Sequence, residues 1–132
     1  MNEDFEKGLA LFADVYGQDM ADGCRKGAEP GDNFAPLRVR WAMELAFGQL
    51  WTREDKLSRR DRSLTVLGMC IAQSAVEEIK FHTIMGVANG LTRSEIEEVL
   101  YSAIPYCGFP AANTANAAML EGFKELEQQG RI

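Results

Sequence analysis

The sequence is poor in the residues that build metal and disulfide sites. It has one histidine and three cysteines, and Cys24, Cys70 and Cys107 form an odd, widely spaced set. No Cys-x-x-Cys pair occurs, so the spacing indicates neither a zinc site nor a dithiol redox centre. We therefore expect no metal ligands, and we expect reduced thiols, as is usual in the cytoplasm.

The chain also lacks a basic cluster and a long apolar run. Its net charge is −6, which disfavours binding to nucleic acid or to an anionic membrane. The N-terminal stretch MNEDFEKGL is acidic and has no apolar signal core, and no segment reaches the length of a membrane span. These absences predict a cytoplasmic protein without nucleic-acid or membrane partners.

Strand-like alternation and Gly-rich phosphate loops are absent too, and helical periodicity takes their place. Hydrophobic residues make up 46% and charged residues 26% of the chain, which is typical of a globular protein. The length suits one domain, 1–132, with an N-terminal helix and loop over 1–33 and a core over 34–128. The pattern predicts about six helices packed as an all-α bundle.

Caps, glycines and prolines mark the ends of these helices. Asn33 is the expected cap of the second helix, and Thr92 with Glu95 forms a capping box at the fifth. Residues 17–33 are predicted as a loop, because they carry four glycines and a proline. Pro105 is expected to end the fifth helix and to open a stiff turn. The predicted helices cover 2–16, 33 to about 51, 58–72, 75–88, 92–105 and about 111–129.

The only histidine, His82, lies one helical turn after Glu78 on the predicted helix over 75–88. Positions four apart are neighbours on one helix face, so Glu78 can hold the imidazole and raise its affinity for a proton. Ile79 and Met85 give the same face an apolar wall. We interpret the pair as the acid/base end of a small enzyme site. A surface ion pair or a satisfied core histidine is the alternative that the spacing leaves open.

Four stretches of the chain, in order, resemble the carboxymuconolactone decarboxylase family. They are LSRRDRSL at 57–64, EEIKFH at 77–82, NGLTRSEIEEVL at 89–100 and YCGFPAANTA at 106–115. The similarity covers roughly 34–128. It implies an alkylhydroperoxidase-like helical bundle that assembles as a homo-oligomer, a hexamer or a trimer, and that needs no metal or organic cofactor.

The family has an alkylhydroperoxidase-like branch and a decarboxylase branch. The first carries Cys-x-x-Cys before the helix histidine, whereas this chain has Ala75 and Glu78 at those positions. A thiol peroxidase cycle needs an attacking and a resolving thiol. AFGQLWTR at 46–53 resembles the tryptophan-containing segment of the decarboxylase branch. That branch implies a carboxy-lyase of aromatic-acid breakdown, in the protocatechuate/β-ketoadipate route, which releases CO2 from 4-carboxymuconolactone and leaves an enol lactone.

The reaction implied by the resemblance defines the side chains that a site requires. Loss of CO2 sends electrons to the lactone carbonyl, so a donor must stabilise the dienolate oxygen and an acid must return a proton to carbon. We assign His82 as that acid and Glu78 as the group that orients it. Arg62 is the candidate anchor of the second carboxylate, because a guanidinium binds a carboxylate in bidentate fashion. A structural salt bridge, for example to Glu77, is the alternative for Arg62.

Three further residues are assigned to substrate binding. The Tyr106 hydroxyl or the Gln49 amide is expected to donate a hydrogen bond to the lactone oxygen, and Trp51 is expected to form part of the substrate wall. A tyrosine packed in a turn and a tryptophan in the core or in a subunit contact are the alternatives. No residue is assigned to a metal.

Four positions depart from the decarboxylase pattern. Gln49, Leu45, Ile84 and Ala117 stand where the pattern has a glutamate, a tyrosine, an arginine and a histidine, respectively. With fewer ionisable groups and one cation fewer, a dianionic lactone is held less well. A relative that acts on a different lactone or keto acid, a redox protein that uses one of its cysteines, and a non-catalytic helical oligomer therefore stay as alternatives.

Overall fold

The computed structural model of the protein describes residues 1–132, and its regular structure is entirely helical. The all-α prediction is confirmed, although the chain forms seven α-helices rather than six. One of them, α3, continues directly as a π-helical segment. The elements are α1 (Glu3–Tyr16), α2 (Gln18–Gly27), α3 (Pro36–Trp41), the π-helical segment (Ala42–Leu50), α4 (Arg59–Ala72), α5 (Val76–Ala88), α6 (Arg93–Cys107) and α7 (Phe109–Gln128).

These helices belong to two compact units, Met1–Ser58 and Arg59–Ile132. The first unit holds α1 to the π-helical segment, and the second holds α4 to α7. The single domain over 1–132, with its expected division after residue 33, stays a prediction. None of the helices has both the length and the apolar character needed to cross a bilayer.

In the first unit, α1 packs backbone to backbone against the π-helical segment. Asn2 caps α1, because its side-chain oxygen accepts the Phe5 N–H at 2.8 Å. Phe5 is fully buried in an apolar cluster that also holds Met43. A side-chain carbon at Gly8 would collide with the Met43 carbonyl oxygen, and one at Gly48 would collide with the backbone of α1. Glycine at both positions therefore lets the two helices approach more closely than side chains permit.

The segment predicted as a loop over 17–33 contains the helix α2. This helix forms in spite of two glycines, because Asp19 in its first turn and Arg25 in its last turn complement the helix dipole. Arg25 also donates to both carboxylate oxygens of Glu6 in α1, at 2.9 and 2.6 Å. The loop prediction was wrong, since a count of glycines does not register the contacts of α2 with α1.

Asn33 does not cap the second predicted helix. Its side-chain amide donates to the carbonyl oxygens of Lys26 and Glu29, at 2.8 and 2.9 Å, so it closes the end of α2 instead. The N-cap position of α3 is Ala35, which has a positive φ of 51°. Pro36 lies in the first turn of α3, where the missing N–H of proline forfeits no helical hydrogen bond.

The helix that begins at Pro36 changes its hydrogen-bond pattern after Trp41. From Ala42 to Leu50 it is a π-helix, and the Trp51 N–H donates to the carbonyl oxygen of Ala46, five residues back, at 2.9 Å. Such segments occur mostly as single turns, frequently at functional sites. The predicted helical extent to about residue 51 is confirmed, but the apolar pattern does not distinguish a π-helix from an α-helix.

In the second unit, α4 and α5 form an antiparallel hairpin, and α7 packs against α5. Three residues join α4 to α5, and Ser74 among them has a positive φ of 52°, at the predicted break. A side-chain carbon at Gly122 of α7 would lie 3.0 Å from the Lys80 carbonyl oxygen, so this helix also approaches a backbone closely. The largest fully buried apolar side chains of the unit are Leu67, Ile71, Ile79, Met85, Ile96 and Leu126.

Two predicted helix ends in this unit are confirmed. At the start of α6, Thr92 accepts the Glu95 N–H at 3.1 Å and Glu95 accepts the Thr92 N–H at 3.0 Å, which is the predicted capping box. After α7, Gly130 has a positive φ of 69°. Glycine is the residue that most easily adopts this conformation beyond a helix end.

The predicted helix end at Pro105 is wrong. The helix α6 runs two residues further and ends before Gly108, which has a φ of 93°, and Pro110 lies in the first turn of α7. The stretch 105–110 is therefore not a stiff turn. A proline inside a helix forfeits the hydrogen bond to the carbonyl four residues back. Here that residue is Tyr101, which is half exposed.

Candidate functional site

The structure places the two residues of the predicted pair on α5, His82 and Glu78, close to each other. Nε2 of His82 lies 3.6 Å from Oε2 of Glu78. The His82 side chain is only 11% exposed and its Nδ1 atom is buried, whereas the Glu78 side chain is 62% exposed. The imidazole is thus enclosed, and a solvent-accessible carboxylate lies at its edge.

Burial sets the protonation of the imidazole. It lowers the pKa of His82 below the ordinary value of 6.5, and the Glu78 carboxylate opposes that shift. Glu78 raises the proton affinity of the ring, as expected, but burial outweighs this effect and the net pKa is lowered. Desolvation of a cation costs more than a well-hydrated carboxylate restores. His82 is therefore neutral at pH 7 when no anion is bound nearby.

A partly buried polar contact joins α4 to the C-terminal end of α5. The Asn89 side-chain amide donates to the Ser63 hydroxyl at 3.0 Å, and Ser63 is fully buried. The sequence analysis did not predict the hydrogen bond between Ser63 and Asn89. The available indication was that Ser63 shares the buried face of α4 with Leu67, one turn later.

This contact determines how far apart Arg62 and His82 lie along the axis of the hairpin. His82 precedes Asn89 by seven residues, which is about 10 Å of α-helix. Arg62 adjoins Ser63, the partner of Asn89. The backbone positions of Arg62 and His82 are therefore separated by about 10 Å along the helix axes. Arg62 is half-buried, and its Nε atom is buried.

The other predicted substrate-binding residues lie in varied surroundings. Tyr106 is in α6 and is 90% exposed, so it is neither in a turn nor packed, in contrast to the alternative considered for it. The Gln49 amide donates to the Asp4 carboxylate at 2.9 Å, and Trp51 is 3% exposed. Gln49 and Trp51 belong to the first unit. The roles of all three in substrate binding stay predictions.

Two cysteines are poorly suited to redox chemistry. Burial raises the pKa of Cys70 to about 11, and the charge of Glu78 adds to the shift. Burial also raises the pKa of Cys24. Because the thiolate is the reactive form, neither thiol is activated at neutral pH. This argues against a redox function that depends on Cys70.

Fold and site together define an all-α protein whose enclosed imidazole, paired with a carboxylate, is suited to acid–base chemistry. The model of the carboxymuconolactone decarboxylase family matches residues 36–121. A nitrosuccinic acid decarboxylase of Metarhizium robertsii is 31% identical over 126 residues, which cover 96% of this chain and 85% of the relative. A 4-carboxymuconolactone decarboxylase of Acinetobacter baylyi is 27% identical over 128 residues, which cover 96% of this chain and 92% of the relative. The chain belongs to the carboxymuconolactone decarboxylase family, as its sequence motifs indicated.

Family membership and two decarboxylase relatives make the chain an enzyme of the carboxy-lyase class. The matched residues include the whole of α5, and with it His82 and Glu78. The two relatives bear the names of different substrates. One fold hosts different reactions and substrates, so the class alone does not identify the acid that this chain decarboxylates.

Proposed function

We propose that the chain is a cofactor-independent decarboxylase of the 4-carboxymuconolactone type. It would release CO2 from a small lactone carboxylic acid and leave an enol lactone. The observation that carries the proposal is the enclosed His82 imidazole beside the Glu78 carboxylate, on a helix inside the family match. The Acinetobacter relative supports it along 96% of this chain. Aromatic-acid breakdown, a cytoplasmic location and a homo-oligomer belong to the same proposal.

The reaction moves one electron pair and one proton. The bond between the ring carbon and its carboxylate breaks, the electron pair passes through the ring double bond to the lactone carbonyl, and CO2 leaves. The dienolate oxygen then needs a hydrogen-bond donor, which is the role proposed for Tyr106 or Gln49. An acid returns a proton to the carbon next to the carbonyl, and it regains a proton from water.

His82 is the proposed acid although its ring is neutral in the free protein. The substrate is an anion, and an anion beside an imidazole raises the pKa of the ring. The Glu78 carboxylate acts in the same direction and holds the ring from the next turn of the helix. Substrate binding therefore favours the imidazolium form in the complex that needs a proton donor.

Arg62 is the proposed anchor of the carboxylate that is retained. The Asn89–Ser63 contact sets its backbone about 10 Å from that of His82 along the hairpin. A separation of this size, shortened by the reach of two long side chains, suits the opposite ends of a small diacid. A bidentate guanidinium would fix the retained carboxylate while the other end reacts. A salt bridge to Glu77 is the alternative role.

A nitro-substituted diacid is the second candidate substrate. The Metarhizium relative, a nitrosuccinic acid decarboxylase, is 31% identical to this chain and covers 96% of it. Nitrosuccinic acid meets the same two chemical requirements as the lactone. Its nitro group can accept the electron pair left by CO2, and its second carboxylate can be anchored. The proposed roles of His82 and Arg62 therefore apply to both molecules.

CO2 release by the purified protein tests the proposal, with 4-carboxymuconolactone, nitrosuccinate and a simple β-keto acid as substrates. We expect turnover of the lactone, and one deuterium on the product carbon when the solvent is D2O. His82→Ala should lower kcat by about 100-fold or more, the usual contribution of a general acid. Arg62→Gln should raise KM, whereas Arg93→Gln, whose side chain stacks on the Phe123 ring at 4.6 Å, should not.

Each outcome of this assay has a distinct meaning. Full turnover by His82→Ala contradicts the assignment of the acid. Turnover of nitrosuccinate without turnover of the lactone selects the second candidate substrate. If none of the three acids releases CO2, none of them is the substrate. A different lactone or keto acid is then the favoured substrate.

A further inference from the structure

A cleft of about 560 Å³ opens between the residues that follow α2 and the first turns of α3. Clefts that bind small molecules have volumes of about 300–1,000 Å³, mostly apolar walls and a few polar groups that orient the ligand. This cleft has two arginines, and the rest of its lining is apolar and consists of Ala28, Pro30, Ala35, Pro36, Leu37 and Trp41. Because no histidine, carboxylate or thiol lines it, the cleft is suited to binding and not to proton transfer or nucleophilic catalysis.

The chain itself holds the walls of the cleft in place. The Asn33 side-chain amide donates to the carbonyl oxygens of Lys26 and Glu29, at 2.8 and 2.9 Å, and thereby fixes the loop to the end of α2. Ala35 then adopts a left-handed conformation with a φ of 51°, which is unfavourable for alanine and which occurs mostly where the surrounding structure enforces it. The ring of Pro36 restricts the backbone that follows. A ligand therefore finds walls that are already formed, and little ordering accompanies its binding.

The two arginines of the cleft, Arg38 and Arg40, differ in their partners. Arg40 donates to the Glu44 carboxylate at 2.8 Å, so its charge is neutralised within the chain. The Arg38 side chain is exposed, and its guanidinium has no carboxylate partner. A guanidinium presents paired N–H groups that match the two oxygens of a carboxylate. Arg38 is therefore available to an anionic group of a ligand that enters the cleft.

The apolar side chains of α3 indicate the rest of the ligand. Leu37 and Trp41 lie one turn apart on the same side of the helix, and they are 49% and 59% exposed. The indole of Trp41 thus presents an open apolar ring, and aromatic rings favour contact with one another in offset-stacked or edge-to-face arrangements. A flat ring that carries one carboxylate can contact Trp41 and Arg38 at the same time.

We propose that this cleft is a binding site for an aromatic monocarboxylate of one or two fused rings. Its carboxylate pairs with Arg38, its ring stacks on Trp41, and the ring edge contacts the proline and alanine side chains of the opposite wall. The site is independent of the proposed decarboxylation, because none of its lining residues has a role in that reaction. All of them belong to the first unit, whereas His82 and Arg62 belong to the second.

Calorimetric titration of the full chain with naphthoate tests the site. We expect a dissociation constant of about 1 mM or below, which is usual for a ligand of this size. Arg38→Gln should raise the dissociation constant at least about ten-fold, because a hydrogen bond between two charged groups is lost. Arg131→Gln is the matched control, since it removes the same charge from an exposed position near the C-terminus. Naphthylmethanol, which has the same rings and no charge, should also bind at least about ten-fold more weakly than naphthoate.

Nuclear magnetic resonance of isotope-labelled tryptophan locates the ligand. The chain has two tryptophans, of which Trp41 is 59% exposed and Trp51 is 3% exposed. Naphthoate should shift the indole N–H signal of Trp41 and leave that of Trp51 nearly unchanged, and the spectrum of Trp41→Phe assigns the two signals. Arg62→Gln should bind naphthoate as the wild type does, which separates the cleft from the proposed carboxylate anchor of the reaction.

Specific outcomes overturn the proposal. The absence of both heat and a Trp41 shift at the solubility limit of naphthoate does so, as does an unchanged affinity in Arg38→Gln. Equal affinity for octanoate, an aliphatic carboxylate, contradicts the aromatic class of the ligand. Loss of naphthoate binding in Arg62→Gln places the ligand at the proposed reaction site and also contradicts the cleft. If Arg38→Gln loses its helical circular dichroism, the comparison of naphthoate with naphthylmethanol on the wild type decides.

Discussion

For a single residue such as His82, spacing predicts contacts and burial determines chemistry. The four-residue interval between Glu78 and His82 predicted their contact, and the 3.6 Å separation confirms it. The interval could not predict the direction of the pKa shift. That direction depends on how far the ring is removed from water, and the packing of the whole helix determines this. The neutral ring of the free protein is consequently a property of the fold.

Glu78→Gln should move the pH profile of the reaction. The Glu78 charge raises the pKa of His82, so its removal lowers that pKa further below 6.5. If His82 must be protonated, kcat/KM declines as pH rises above the pKa of the free enzyme. The declining limb should therefore lie at lower pH in Glu78→Gln than in the wild type. Initial rates at low substrate concentration between about pH 5 and 8 measure this.

Glu77→Gln is the control for that profile, because it removes the same charge from the neighbouring position of α5, which does not contribute to the pKa of His82. Its declining limb should coincide with that of the wild type. Equal displacement in both variants would show a general charge effect. A displacement of the Glu78→Gln limb to higher pH would contradict the assigned role.

Cys70 should react slowly with thiol reagents. Its pKa of about 11 lies about four units above neutral pH, so only about one thiol in 10,000 is ionised, and the side chain is also buried. Labelling at pH 7 followed by peptide mass spectrometry measures the rate at each cysteine. In denaturant, Cys24, Cys70 and Cys107 should react at similar rates. Rapid modification of Cys70 in the folded protein would revive the redox alternative.

Among the elements, the contact of α1 with the π-helical segment depends on glycine. Gly8→Ala should destabilise the fold by more than about 2 kcal/mol, since the new methyl group meets the Met43 carbonyl oxygen and a helix has to shift. Gly23→Ala in α2 should have the opposite sign, a gain of about 0.5–1 kcal/mol, because open space surrounds that position and alanine is the better helix former. Urea unfolding followed by circular dichroism measures both changes. Equal stability of the two variants would contradict the close approach.

The sequence predicted helices best where local interactions form them. The capping box of Thr92 and Glu95 involves residues three apart and was predicted. The cap at Asn2 is equally local, but it was not predicted, because Asn2 was counted as part of the first helix. The helix α2 was missed, because an ion pair between Arg25 and Glu6, 19 residues apart, helps to hold it. In the candidate site the pair on α5 was predictable for the same local reason. The contact of Ser63 with Asn89, 26 residues apart, was not.

At the scale of the whole molecule, helical periodicity predicted the all-α class but not which apolar side chains are exposed. The spacing of Leu37, Trp41 and Leu45 gives the second predicted helix a broad apolar side, which is typical of a core or of a subunit contact. In the structure these three side chains are exposed, and Val39, Met43 and Phe47 instead form the side that packs into the buried cluster. A sequence cannot distinguish a buried apolar side of a helix from an exposed one, because the same residue types serve a core and an interface between copies.

Net charge gives the self-association of the molecule a specific response to salt. Each copy carries a charge of −6, so two copies repel each other while their apolar faces attract. Raising the ionic strength from about 0.01 to 0.1 M shortens the Debye length from about 30 to 10 Å and screens the repulsion. We therefore expect salt to lower the dissociation constant of the wild type, as measured by sedimentation at several protein concentrations. An interface that depends on ion pairs between copies would respond in the opposite direction, and weaker association at the higher salt concentration would thus contradict an apolar contact between copies.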